Sequence, residues 1–378
     1  MEIDRPHTTQ KIVRINWEGS LFVHHSLGMV NRELLAELTR FSDLAIRHIP
    51  YEPDQFSAGT ISRYASVAAL EKEPHPDAHI HIRHRWPPDF SRPASGKFIL
   101  MQPWEYGSLP VSWVNEIGRT VDEVWVYTDF LKTCYERSGI PQEKIHVTPL
   151  GIDPLLFRPE APAMSTEERG GCFRFLYNGG LITRKGADIL VNAYLNEFKC
   201  HEPVCLVIKD SVAVYPQGMT EKVRALASRG DTARIVYHDA PLSQEELPGL
   251  YTSCDCYVHP YRAEGYGLSI AEAMACGLPV IVPNGGACLD FVDRECGYFI
   301  DCKVETMNVR QVGDYVTVGN PFWLKPDMGH LQSLMRLVFE QRNEAKERGS
   351  EGARKIRTTH NWGRAAQTVY ERILALTQ

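Results

Sequence analysis

The chain has 378 residues, too many for one ordinary hydrophobic core and suited to two domains of common size. Its 43% hydrophobic content is that of a globular protein, and a formal net charge of −6 excludes a broad electrostatic footprint for nucleic acid. No apolar stretch is long enough for a membrane span, which leaves only peripheral contact with a membrane open.

The first residues, "MEIDRPHTTQKIVRIN", lack the apolar core of a signal peptide. The 10 cysteines show no Cys-x-x-Cys spacing and read as reduced, mostly buried thiols, so the expected compartment is the cytoplasm. Short runs rich in Val and Ile then alternate with amphipathic stretches. In the first half they are "KIVRIN" (11–16), "HIHIR" (79–83), "KFILM" (97–101), "VWVY" (124–127) and "IHVTP" (145–149). In the second half they are "FRFLYN" (173–178), "VCLVIK" (204–209), "RIVYH" (234–238), "DCYVH" (255–259) and "PVIVP" (279–283). Such runs suit strands of parallel sheets covered on both faces. Between the two sets, residues 151–171 are rich in Pro, Gly and charge and read as a linker. The expected fold is α/β, two doubly wound domains in tandem, with ligands bound beyond the carboxyl ends of the strands in a cleft between them.

"RAEGYGLSIAEAMACGLPVIVP" (262–283) follows one of these strands. A helix is predicted to start at Leu268 or Ser269 and to stop at Gly277 before Pro279, so Glu264 falls in the loop and Glu272 in the helix. The glycines allow close approach of a ligand to the backbone, and the helix N-terminus favours an anion. A carboxylate beside such a site needs a diol or a cation as partner. Alternatively, Glu272 only complements the helix dipole and Glu264 is a solvated loop residue.

"YNGGLITRKGADILVNAY" (177–194) places a glycine pair and a basic pair between a strand and a helix. Neither a Walker loop nor a dinucleotide fingerprint matches. Arg184 and Lys185, on the same sheet edge as the first site, suit a diphosphate, since Arg grips two oxygens and Lys adds a compact charge. A solvated basic pair is the plainer alternative.

These phrases, with "VTPLGIDPLLFRP" from the linker, make the chain resemble the retaining glycosyltransferases of family 4, whose GT-B fold is two facing Rossmann-like domains. The resemblance covers essentially the whole chain. It implies that Glu264 contacts the donor sugar and acts in catalysis, and that Glu272 takes the ribose hydroxyls of a nucleotide sugar. It also implies that the backbone around Gly180, Tyr266, Gly267 and Leu268 approaches the diphosphate, with Lys185 beside it. Many relatives carry an arginine where this chain has Leu181, and Arg184 is the candidate to replace it.

The N-terminal half then carries the acceptor. Gly19, in "INWEGSLF", lies at a strand end facing the cleft and is placed with the donor. The family often has a histidine at the end of the strand "HIHIRHRW" touching the donor sugar, and His84 fits by position; the alternative is a structural anchor for the turn into "RWPP". Trp104, Glu105 and Tyr106 offer an acceptor-side wall, with core packing the other role for Trp104. Lys209 reaches phosphate or simply pairs with Asp210. The expected domains are 1–155 and 156–360, with the C-terminal helix 361–378 returning to complete the first.

The function that follows is metal-independent transfer of a sugar from a nucleotide-diphosphate-sugar co-substrate to a sugar, glycan or lipid-linked acceptor, with retention. No Asp-x-Asp motif is present, and cationic side chains with helix dipoles can stabilise the departing diphosphate. No bound cofactor is implied. A sugar-nucleotide epimerase and a non-catalytic nucleotide-sugar-binding protein are the alternatives.

Overall fold

The computed structural model describes residues 12–164, 171–211 and 219–378. Lys11 of the first expected strand and residues 165–170 of the expected linker lie outside the described residues.

Six parallel strands build the first sheet: β1 (Val13–Glu18), β2 (Leu44–Ile49), β3 (Ile80–Arg83), β4 (Lys97–Met101), β5 (Glu123–Val126) and β6 (Ile145–Val147). Six more build the second: β7 (Phe173–Gly179), β8 (Val204–Asp210), β9 (Arg234–His238), β10 (Cys256–Val258), β11 (Val280–Pro283) and β12 (Gly297–Ile300). All seven residues of β8 and all four of β3, β5 and β11 are buried, as strands covered on both faces must be. The strand orders are β2-β1-β3-β4-β5-β6 and β12-β11-β10-β7-β8-β9. The chain therefore reverses its direction of travel between β1 and β3 in one sheet and between β7 and β10 in the other. Loops that leave such a switch point in opposite directions open a crevice between them, where α/β sheets bind ligands. In the second sheet those two loops carry the basic pair and Glu264.

Two strands were not legible as apolar runs. β2, "LAIRHI", lies at the sheet edge, and its buried residues Ile46 and His48 alternate with partly exposed ones, a half-buried pattern. β12 is only four residues and starts with a glycine. A third element was missed altogether. After β12 the chain makes a long antiparallel excursion: β13 (Cys302–Thr306) pairs with β16 (Phe322–Pro326), and between them β14 (Gln311–Val312) pairs with β15 (Tyr315–Val316) around Gly313.

The last helix, Trp362–Thr377, starts on Asn361, whose side chain accepts from the Arg364 amide at 3.0 Å. Its buried stripe Trp362, Ala366, Val369 and Ile373 has helical spacing. The helix packs against elements of the first sheet. Tyr370 stacks on Phe41 at 4.0 Å between centroids and donates to Asp43 at 2.7 Å. Arg372 grips Glu123 of β5 through both its Nε and an Nη.

Candidate active site

The basic pair sits on a single 3-10 turn, Thr183–Lys185, which Gly186 hands to the helix Ala187–Glu197. Gly186 has φ +74°, and a side chain there would run into the carbonyl of Pro260, so this turn and the Glu264 loop can only meet at a glycine. The two loops are stitched together by main-chain bonds: the amides of Arg262 and Ala263 both donate to the Arg184 carbonyl, at 2.7 and 3.2 Å.

Glu264 lies between both cations. Its Oε1 accepts from Lys185 Nζ at 2.9 Å and its Oε2 from Arg184 Nη1 at 2.8 Å. Burial alone would raise its carboxyl, but Lys185 and Arg184 outweigh that and hold it at about 2. Glu264 is therefore an ionised hydrogen-bond acceptor at any physiological pH, and its two clamping cations make it a weak base.

Arg184 Nη1 also donates to the Ala263 carbonyl at 2.8 Å, and Glu105 Oε1 from the first half of the chain lies 3.4 Å away. Arg184 is thus a brace between the loops and across the cleft. Leu181 is buried in the core of the second domain and contributes no charge to the turn.

The helix Leu268–Ala275 begins where the loop expectation put it, after Gly267 at φ +97°, and no side chain caps it. No side chain satisfies the N–H groups of its first residues, an end that favours an anion. Glu272, in its second turn, is 6% exposed. Among the described residues it receives one hydrogen bond, from Tyr251 Oη to Oε2 at 2.8 Å, and Tyr251 in turn accepts from Asn178 Nδ2 at 2.9 Å. Burial pushes the Glu272 carboxyl up to about 7, only partly offset by Tyr251. A buried carboxylate with one oxygen unclaimed is prepared for a neutral hydrogen-bond donor such as a diol. Of the residues that orient it, Asn178 lies in the quoted basic-loop stretch but was given no role there, and Tyr251 carried no motif signal.

The remaining expected residues divide. Gly180 is buried and its carbonyl accepts from Tyr177 Oη at 2.9 Å, at the start of the basic turn. Lys209 is buried with Nζ on the Asp210 carbonyl at 2.8 Å, while the Asp210 carboxylate accepts from Thr220 and Tyr237. Lys209 thus adopts the internal arrangement rather than an open one. The Tyr266 hydroxyl points away from the site to the Leu150 carbonyl at 2.7 Å, so only its backbone borders the anion position.

Gly19 is buried at the end of β1. Its amide donates to the Ile49 carbonyl, its carbonyl accepts from His48 Nε2, and a side chain there would run into the Asn31 amide and the His84 carbonyl. His84 is fully buried as well. Its Nδ1 lies 2.6 Å from Asn31 Oδ1, an oxygen that also accepts from Trp17 Nε1, so Nδ1 carries the proton. Its Nε2, 2.6 Å from Tyr127 Oη, then accepts from that hydroxyl. Burial holds the imidazole neutral, with a pKa near 3. Both ring nitrogens are engaged inside the domain, which corrects the expectation that His84 faces the cleft and favours its role as an anchor. Sequence position at a strand end indicated the loop but not the side-chain direction.

On the acceptor side, Trp104 is 3% exposed and its indole N–H donates to the Ser108 carbonyl, so it is core. Glu105 faces Arg184, and Tyr106 is half-buried against Trp104. The cleft is tied at Thr128, whose hydroxyl donates to the Gly265 carbonyl at 3.3 Å.

Two parallel Rossmann-like sheets facing across such a cleft define the GT-B fold. Solved structures agree: Anabaena HepE in complex with UDP-glucose superposes with a TM-score of 0.66 at 14% identity, over 96% of this chain and 99% of that one. WaaG, a glycosyltransferase involved in lipopolysaccharide biosynthesis, superposes with a TM-score of 0.59 at 13% identity, over 96% and 99%. Within that fold, residues 165–314 match the family described as Glycosyl transferases group 1. Among curated proteins, the D-inositol 3-phosphate glycosyltransferase of Acidothermus cellulolyticus is 29% identical over 197 residues, 50% of this chain and 43% of that protein. The GDP-mannose-dependent alpha-(1-6)-phosphatidylinositol monomannoside mannosyltransferase of Mycolicibacterium smegmatis is 27% identical over 214 residues, 53% of this chain and 54% of that protein. The chain thus spans about half the length of the curated relatives it matches. Among the described residues no helix is long and apolar enough to cross a membrane.

Proposed function

We propose that the chain is a retaining glycosyltransferase of family 4 that moves a hexosyl group from a nucleotide-diphosphate sugar to a hydroxyl of a sugar, glycan or lipid-linked acceptor. The observation that carries this reading is the juxtaposition of Glu264 with Lys185, Arg184 and the uncapped N-terminus of the helix that bears Glu272. One end of that arrangement suits a ribose diol, the middle a diphosphate, and Glu264 the hydroxyls of the sugar beyond it. The related proteins' stated activities, inositol phosphate glycosylation and mannosyl transfer, support the reaction class.

As the bond between the anomeric carbon and the phosphate oxygen breaks, negative charge grows on the diphosphate. Lys185 and the helix amides are fixed where that charge appears, which lowers the barrier without reorganisation. Glu264 accepts from sugar hydroxyls and favours the positive charge developing at the anomeric carbon. Clamped by two cations, it is poorly placed to attack that carbon. The acceptor hydroxyl then arrives on the face the diphosphate leaves and gives its proton to the departing phosphate oxygen, so configuration is retained. Lys185, Arg184 and the helix N-terminus supply the charge that a divalent ion supplies elsewhere, and the reaction proceeds in the cytoplasm without metal.

Mass spectrometry of products from a panel of nucleotide sugars and hydroxyl acceptors, with and without a chelator, tests the proposal. Transfer with the chelator present supports it. Donor isomerisation without acceptor, or binding with no product, refutes it in favour of an epimerase or a binding protein.

A further inference from the structure

The excursion β13–β16 is anchored at both ends in functional loops. At its base, the Leu324 amide donates to the Arg262 carbonyl at 2.8 Å, and the Arg262 guanidinium lies 5.5 Å over the Trp323 ring. That same guanidinium holds both carboxylate oxygens of Asp188, each at 2.7 Å, and the Thr183 carbonyl at 2.6 Å. The base is therefore locked to the basic turn and to the loop that carries Glu264.

Its far end crosses to the first domain and closes on residues 106–110 with hydrogen bonds from its main-chain amides. The Phe322 amide donates to the Tyr106 carbonyl at 3.0 Å, the Val318 amide to the Leu109 carbonyl at 2.9 Å, and the Gly319 amide to Ser108 Oγ at 2.7 Å. Thr317 bridges Pro110. The Phe322 ring occupies the space where a side chain at Gly107 (φ +75°) would stand, so only glycine admits it. Tyr315 wedges edge-on among three indoles, at 6.2 Å from Trp86, 5.8 Å from Trp104 and 5.7 Å from Trp113.

We propose that this arm is a clasp that sets the acceptor-side wall against the donor site, with Tyr315 and Phe322 as its positioning residues. The inference rests on the glycosyltransferase reading and assigns the geometry of acceptor engagement to an element outside both Rossmann-like sheets. Glu105, which approaches Arg184, and Tyr106 stand on the loop that the clasp holds. Releasing Phe322 or Tyr315 frees that loop from the basic turn while leaving Glu272, Lys185 and the uncapped helix in place. A displacement of about an ångström between reacting groups costs as much as a hundredfold in rate, so the acceptor step is where the loss appears.

Hydrogen exchange and steady-state kinetics on the full chain test this with Tyr315→Ala, Phe322→Ala and Tyr315→Phe. In the wild type, the segment holding Val318 and Phe322 exchanges slowly. Both alanine variants raise its exchange at least about tenfold and raise the acceptor KM or lower transfer by about ten- to a hundredfold. Nucleoside diphosphate affinity stays within about twofold, since those contacts lie on the second domain. Tyr315→Phe keeps the ring, and it behaves as wild type. Phe322→Ala acts outside the indole cluster and decides the matter if Tyr315→Ala does not fold. Fast exchange of this segment in the wild type, alanine variants with normal acceptor KM and transfer, or a nucleotide affinity that falls equally overturns the clasp. Exchange needs no turnover, so a wild type that transfers no sugar refutes the proposed reaction, while exchange of the arm alone then decides whether the clasp forms.

Discussion

Glu272 gives the sharpest quantitative consequence, because its environment sets both its charge and its ligand. Burial raises its carboxyl to about 7, and Tyr251 supplies its single hydrogen bond. A ribose diol donates to the ionised form, so binding must pull the proton off. The bound fraction then follows the ionised fraction, which is roughly one tenth at pH 6 and nine tenths at pH 8. Nucleoside affinity should therefore rise about tenfold over that range, equivalent to about 1.4 kcal/mol. An unphosphorylated nucleoside is the right probe, since phosphate titrates in the same window. Glu272→Gln keeps an oxygen for Tyr251 but cannot ionise, and it should bind with a flat pH profile. It should also be weaker than wild type at pH 8 by about 1–3 kcal/mol, the worth of hydrogen bonds to a charged group. For stability the sign is opposite. A carboxyl raised in the folded state contributes stability that is fully present below about 4.5 and is lost as pH rises through about 7. The free Glu272→Gln protein should accordingly melt higher than wild type at pH 8 and the same at pH 4.5. Isothermal calorimetry across pH 6–8 and thermal melts read both effects. A wild-type nucleoside affinity independent of pH, or a Gln variant with the wild-type slope, would refute the reasoning.

Lys185→Ala should lower turnover by about a hundred- to a thousandfold while nucleoside affinity stays unchanged, because its charge acts on the leaving diphosphate; equal losses for phosphorylated and unphosphorylated ligands would indicate a folding role. His84→Ala should cost about 2–4 kcal/mol by leaving a buried cavity and stripping Tyr127 Oη of its acceptor, while Asn31 Oδ1 keeps only the Trp17 indole, with turnover per folded molecule near wild type. Normal melting with a tenfold loss of turnover would restore His84 to catalysis. Glu123 is held at about 2: burial raises it, but His146 and Arg372 outweigh that, so their stabilisation is present above about 4.5 and is lost as pH falls through about 2. Arg372→Ala should loosen the last helix and lower stability at pH 7 by about 1–3 kcal/mol, discounted for the partial exposure of Arg372. Its deficit, followed by chemical denaturation, should shrink toward low pH, and a deficit independent of pH would contradict the pairing.

Much of the second domain could be read from its residues because glycines and charges there are tied to backbone geometry. Gly267 and Gly186 punctuate strand–helix junctions, and the helix start at Leu268 followed directly. The basic turn was legible as a place, but its partner was not. Arg184 and Lys185 close on Glu264 because a pair of cations in a half-buried crevice recruits the nearest carboxylate, and that carboxylate is remote in sequence. In the first domain, strand ends located Gly19 and His84, yet side-chain direction depends on Asn31, Tyr127 and His48, which come from three other elements. The arm escaped notice because its strands are two to five residues long and carry mixed polar and apolar residues, the same composition as a loop. The Tyr315 ring finds its aromatic partners in indoles across the cleft, remote in sequence.

Sugar transfer itself is tested most directly by proton NMR of one reaction mixture, containing an α-linked nucleotide-diphosphate sugar, a hydroxyl acceptor and a chelator. The account predicts a new α-anomeric signal growing as the donor signal falls, and its near loss in Glu264→Gln and Lys185→Ala. A β-anomeric product, an isomerised donor, or a rate unaffected by both substitutions would contradict it.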